Sequence, residues 1–107
     1  GGNILPGMQM RFKALSSGTA GLPMVNPQEG DLLFGKDTIS AIRAGVQNGI
    51  VYEMEGFITA IQERFGKLNV FLTGGDCHFF EKCLKNRIFA VENLTLIGLN
   101  ELIEYNA

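Results

Sequence analysis

The 107-residue sequence is poor in the residues that usually announce chemistry. It has one histidine, two cysteines and three prolines. His78 is the single histidine, so Cys77 and Cys83 have no second Cys/His pair to complete a four-ligand zinc site. The two thiols read instead as free cysteines, buried or half-buried on a short helix in a reducing compartment. No apolar run approaches the ~20 residues needed to span a membrane. The chain opens Gly1-Gly2-Asn3 without a Met or a basic segment, which carries the expectation of no secretory leader and a cytoplasmic location. Charge of one sign is also lacking. Nine Lys and Arg against eleven Asp and Glu leave a net charge of −2, which excludes a basic nucleic-acid-binding surface as the main function. No low-complexity tract occurs, and 46% hydrophobic against 19% charged residues excludes intrinsic disorder.

What the sequence has in surplus is glycine. Fourteen glycines are nearly twice the usual share of ~7%. Spread among so few prolines, they read as positions that need turns, helix ends or close contacts. The length allows one domain at most.

Pro6 suits the first turn of a helix. Met8, Phe12 and Leu15 follow at i, i+4 and i+7, an apolar face with Arg11 and Lys13 outside it. Ser16-Ser17-Gly18 closes that helix, Gly21-Leu22-Pro23 marks a stop, and 27–31 reads as loop. Phe34-Gly35-Lys36-Asp37-Thr38 is a turn in which Asp37 or Thr38 can cap a long helix. Ile39, Ile42, Val46, Ile50, Met54, Phe57, Ile58, Ile61 and Phe65 keep helical spacing along it. Beside them Ala41, Gly45 and Gly49 form a stripe of small residues, which lets another backbone approach, from the rest of the fold or from a second subunit. Glycine inside a helix also leaves a break at Gly49 or Gly56 open. Gly66-Lys67 ends the helix. Residues 68–72 read as a buried strand, 76–85 as a short helix with Phe79, Phe80 and Leu84 inward, 88–91 as a second strand, and 93 onward as a last helix.

Two strands separated by a helix predict a parallel βαβ unit. Two strands cannot bury both faces of their own sheet. The expectation is therefore part of an α/β domain.

The chemistry-bearing spots are few. Thr73-Gly74-Gly75-Asp76 follows a strand and precedes a helix, the edge at which open α/β sheets bind ligands. Its glycines admit a close phosphate or ribose and the helix start favours an anion; an ordinary strand-to-helix turn is the alternative. Gly1-Gly2-Asn3-Ile4-Leu5-Pro6-Gly7 is a second glycine-rich join. Glu53 and Glu55 are two apart and cannot pair on one helical face. His78 has no acid and nucleophile pattern around it, and no constellation specifies a catalytic base.

In this order the pieces resemble the C-terminal part of the type III pantothenate kinase family, also called Bvg accessory factor. GGNILPG at 1–7 is similar to the family's GGxIxPG, and ALSSGTAGLP at 14–23 to its A-L-x-x-x-T-A-x-L-P. FGKDTISAIRAGVQNGIVYEMEGFI at 34–58 resembles its G-x-x-T-x-x-A-I-x-x-G-x-x-x-G and the helix that follows. VFLTGG at 70–75 and LTLIGLNELIEY at 94–105 resemble its strand-TGG and closing segments. The resemblance implies an α/β fold: a partial ribonuclease-H-like domain of the actin, Hsp70 and sugar kinase superfamily, with 1–107 as the C-terminal portion of the second such domain. It implies ATP-dependent phosphorylation of pantothenate, the first committed step toward coenzyme A, by a homodimer that uses magnesium and potassium or ammonium. By the same resemblance Thr38 contacts pantothenate in the partner subunit's site, and Thr73, Gly74 and Gly75 lie on the adenosine side of ATP. No metal ligand is implied within these residues. Neither nucleic acid nor membrane is implied as a partner.

The family's D-x-G-N-T, G-x-D-R and D-x-G-T-A segments do not occur in the 107 residues. The second of these holds the general base. The expectation is that this polypeptide alone is inactive, supplying dimer interface, substrate lid and adenosine-side loop. The alternatives are a non-catalytic dimerisation or regulatory module, and a nucleotide-binding half of another kinase of the same superfamily.

Overall fold

The computed structural model describes residues 1–85 and the backbone of 88–90. Its elements are α1 (Met8–Ser17), α2 (Thr38–Phe65), β1 (Val70–Leu72), α3 (Cys77–Glu81) and β2 (Ile88–Ala90). The chain divides into two compact units, Gly1–Met54 and Glu55–Ala107, with the boundary inside α2.

The first unit holds α1, the 18–37 segment and the first half of α2. Gly7 is the N-cap of α1 in an extended conformation, so the helix starts at Met8. Pro6 therefore precedes the cap and does not occupy the first turn. Its carbonyl is free of the helix and accepts from Arg11 Nε at 2.9 Å. Phe12 is fully buried and Met8 nearly so, as their i, i+4 spacing predicts; Val25, Ile42, Ala44, Val46 and Ile50 supply the rest of the buried apolar surface. Arg11 is not a solvated charge outside this face. Its guanidinium reaches Glu53 Oε1 at 2.7 Å, with both side chains partly covered.

Helix α2 runs unbroken through Gly49 and Gly56. Gly66 ends it with φ +82°, a conformation that only glycine adopts without strain; its N–H donates to Gln62 O at 2.8 Å. The predicted apolar stripe divides. Ile42, Val46, Ile50 and Ile58 are buried, whereas Ile39, Phe57, Ile61 and Phe65 are exposed. Period alone marks a face that can be covered, and does not say how much of it is covered.

In the second unit β1 and β2 pair in parallel, Val70 opposite Ile88, Phe71 opposite Phe89 and Leu72 opposite Ala90. With α3 between them this is the predicted parallel βαβ order. Helix α3 is shorter than the expected 76–85. The Cys83 N–H bonds Phe80 O at 3.0 Å, an i→i+3 closure that tightens the last turn and stops the helix. Cys77 and Phe80 are buried here, Phe79 and Leu84 half-buried. Cys83 lies beyond the helix and is exposed. The last helix, expected from 93, and the closing 94–105 segment lie outside the described residues.

Candidate functional site

The turn before α2 is the most tightly specified polar feature of the first unit. Asp37 Oδ1 accepts from Ser40 N at 2.8 Å, satisfying one of the unpaired amides of the first helical turn. Ser40 answers in the other direction. Its hydroxyl oxygen accepts from Asp37 N at 3.0 Å and from Lys36 N at 2.8 Å, and its hydrogen is directed at Asp37 O at 3.3 Å. This is a reciprocal capping box with serine in the place usually taken by Glu or Gln. The Ser40 backbone N–H, then its hydroxyl, hold the Asp37 carboxyl below the usual carboxylate range, with a smaller contribution from the Arg43 charge. Gly35 closes the turn from behind. A Cβ built there would stand 2.1 Å from Ala41 Cα, so this position admits no side chain.

Thr38 is the first residue of α2 and is exposed. Asp37 is the cap, which resolves the choice between the two residues and leaves the Thr38 side chain outside the capping contacts.

Beyond the turn, polar residues of α2 at three- and four-residue spacing hold a segment without secondary structure. Arg43 Nε donates to Asn26 O at 3.1 Å. Gln47 uses both ends of its amide on one residue, accepting from Gln28 N at 3.0 Å and donating to Gln28 O at 2.8 Å. Asn48 Nδ2 donates to Leu32 O at 2.8 Å. Gln47 is the one buried polar side chain among the described residues, 9% exposed. Between the 28–32 segment and Ser40, Arg43, Gln47 and Asn48 lies a cleft of about 200 Å³. Sequence reasoning did not single out these four residues. Their signal was the i, i+3, i+7 polar spacing of Ser40, Arg43 and Gln47 along one flank of the Ile42, Val46 and Ile50 face.

The second unit holds the Thr73-Gly74-Gly75 loop. It leaves β1 directly, and all three residues are exposed. Gly74 has φ +100°, which requires glycine, and its carbonyl accepts from Cys77 N at 3.3 Å. No described atom lies within 4 Å of a Cβ built at Gly75, so among the described residues the loop presents bare backbone. The dipole argument for this loop fails: α3 has five residues, too few aligned peptide units for a strong N-terminal field. Thr38 and the Thr73–Gly75 loop thus belong to different units.

The structure also bears on the remaining readings. His78 Nδ1 lies 3.3 Å from Glu81 Oε2 on the surface of α3, so an acid does accompany the histidine. Glu53 and Glu55 are divided between two tasks, one paired with Arg11 and the other accepting from the Lys85 backbone N–H. Of the small-residue stripe, Ala41 meets the backbone of the Gly35 turn, whereas no described atom beyond the helix's own nearby backbone lies within 4 Å of a Cβ built at Gly45 or Gly49. Among the described residues no group of three His, Cys, Asp or Glu is placed to hold a metal ion, and no helix is long and apolar enough to cross a membrane.

Residues 1–60 match the family model described as type III pantothenate kinase. The chain is 50% identical over 106 residues to a type III pantothenate kinase of Cytophaga hutchinsonii, covering 99% of this chain and 45% of that protein. It is 51% identical over 106 residues to one of Bacteroides fragilis, covering 99% of this chain and 44% of the relative. One from Porphyromonas gingivalis is 38% identical over 109 residues, again 99% of this chain and 45% of the relative. The chain thus spans a little under half the length of the curated relatives it matches.

Proposed function

The chain belongs to the type III pantothenate kinase family, and from that premise we propose that it forms the C-terminal portion of a kinase that moves the terminal phosphoryl group of ATP onto pantothenate, the entry step to coenzyme A. Within that kinase these residues are the rim of the site. Phosphoryl transfer is chiefly a matter of positioning phosphates, metal and nucleophile together, and rim residues contribute by placing substrate. Thr38 contacts pantothenate, its hydroxyl donating to or accepting from a polar group of the substrate. In the proposed homodimer it does so in the partner's site. Thr73, Gly74 and Gly75 flank the adenosine part of ATP, where glycines without side chains permit close approach.

The observation that carries this reading is the placement of Thr38: exposed at the start of α2, between Asp37 and Ser40, which hydrogen-bond each other across it. Magnesium, bound with the nucleotide, and potassium or ammonium are proposed on the family resemblance. The ribonuclease-H-like fold is proposed on the same ground, and the parallel βαβ unit supports it. The general base lies in a segment outside these residues, so the 107-residue chain alone is inactive.

Steady-state kinetics of the complete kinase with Thr38→Ala test the reading. The pantothenate KM rises while the ATP KM stays unchanged. Unchanged pantothenate KM and kcat would refute the assignment.

A further inference from the structure

Resting on the reading of Thr38 as a substrate contact, we propose that Ser40 is the positioning residue for Thr38, tying the 35–37 turn onto the first turn of α2 so that the threonine hydroxyl is presented in one orientation. Ser40 is the hub of the knot. One hydroxyl takes the N–H groups of Lys36 and Asp37 and faces the Asp37 carbonyl, while its backbone N–H goes to the Asp37 carboxylate. The residues so joined flank Thr38 on both sides, and none of the bonds uses the Thr38 side chain. Gly35 lies against the Ala41 backbone, which blocks retreat of the turn toward the helix. Thr38 thus sits between two residues that are tied to each other, and it is exposed.

A helix cap by itself needs one acceptor for one orphan amide, and Asp37 already supplies it. The extra bonds made by the Ser40 hydroxyl go to amides that precede the helix. They fix the turn, not the helix. Thr38 has no such bonds of its own, so its orientation depends on a residue that does not touch the substrate.

The test uses the complete kinase with Ser40→Ala, Ser40→Thr, Thr38→Ala and the Thr38→Ala/Ser40→Ala pair. Losing two neutral hydrogen bonds at the turn predicts a pantothenate KM raised about tenfold in Ser40→Ala, with the ATP KM unchanged. Ser40→Thr keeps the hydroxyl and returns the pantothenate KM to within about twofold of the parent. In the Thr38→Ala background Ser40→Ala adds no further loss, because the group it positions is gone. An unchanged pantothenate KM in Ser40→Ala beside a raised one in Thr38→Ala would overturn the proposal and leave the Thr38 reading intact. Equal rises in both KM values, or additive losses in the pair, would also overturn it. If Thr38→Ala itself has no effect, the substrate reading fails and the proposal falls with it. Hydrogen exchange in the unmutated protein supplies an arm independent of variant folding: the Lys36 and Asp37 amides are protected although both precede the helix, and exchange at unprotected rates would overturn the proposal.

Discussion

A methyl group added at Gly35 and one added at Gly45 should move stability in opposite directions. The structure gives both signs. At Gly35 the new Cβ would stand 2.1 Å from Ala41 Cα, 2.2 Å from Ala41 N and 2.6 Å from Ala41 Cβ. Carbon atoms rest at about 3.5–4.0 Å, so the turn has to retreat by more than about 1 Å. The obstacle is helix backbone, which cannot swing aside as the end of a flexible side chain can. Overpacking of this kind costs about 1–3 kcal/mol, and the backbone obstacle places Gly35→Ala toward the upper end. At Gly45 and Gly49 nothing described lies within 4 Å. There the methyl only lowers the entropy cost of helical glycine, a gain of about 1 kcal/mol at each position. Urea unfolding of the complete protein at matched concentration, with size measured in parallel, reads both effects. A neutral Gly35→Ala would refute the close packing of the turn on α2. A destabilising Gly45→Ala without any change in oligomeric state would refute the open face at Gly45. The same loss accompanied by subunit dissociation would identify the stripe as the dimer contact.

Other changes test the remaining parts of the account. Phe12→Ala removes a ring with no exposed surface and should cost about 3–5 kcal/mol in the same unfolding assay. Gln47→Leu keeps the volume but cuts both bonds to Gln28, costing about 1–2 kcal/mol since water can reach the freed, exposed backbone groups; the Gln28 amide should then exchange faster with solvent. Asp37 titrates below the usual carboxylate value of 3.8 because Ser40 stabilises its charged form. A depressed folded value means that its contribution is complete above the unfolded value and fades as pH falls through the folded one. A carboxylate titration followed by NMR should therefore place Asp37 below 3.8, and Ser40→Ala, which keeps the backbone N–H and removes only the hydroxyl, should recover only the smaller part of the shift.

Much of the backbone was legible from local chemistry. Asp37-Thr38 and Gly66 bracket α2 because a capping carboxylate and a left-handed glycine are conformational requirements that one or two residues reveal. The βαβ order was legible from two β-rich runs around a turn. The burial of α2 was not, since Ile39, Phe57, Ile61 and Phe65 continue the helical period and yet are exposed. The polar latch of Arg43, Gln47 and Asn48 was missed for a different reason. Its partners are carbonyl and amide groups of the 26–32 segment, and backbone groups leave no mark in a sequence. Arg11 shows the same limit: its spacing put it outside the apolar face, and only the fold brings Glu53, 42 residues away, to meet it. Thr38 was singled out by resemblance; the structure adds the knot around it.

The most direct test of the central claim is ADP formation by the complete protein, measured with ATP and magnesium in the presence and absence of pantothenate. The account predicts ADP release that depends on pantothenate and is matched one for one by phosphorylated pantothenate. ADP formation indifferent to pantothenate, or none under either condition, would contradict it.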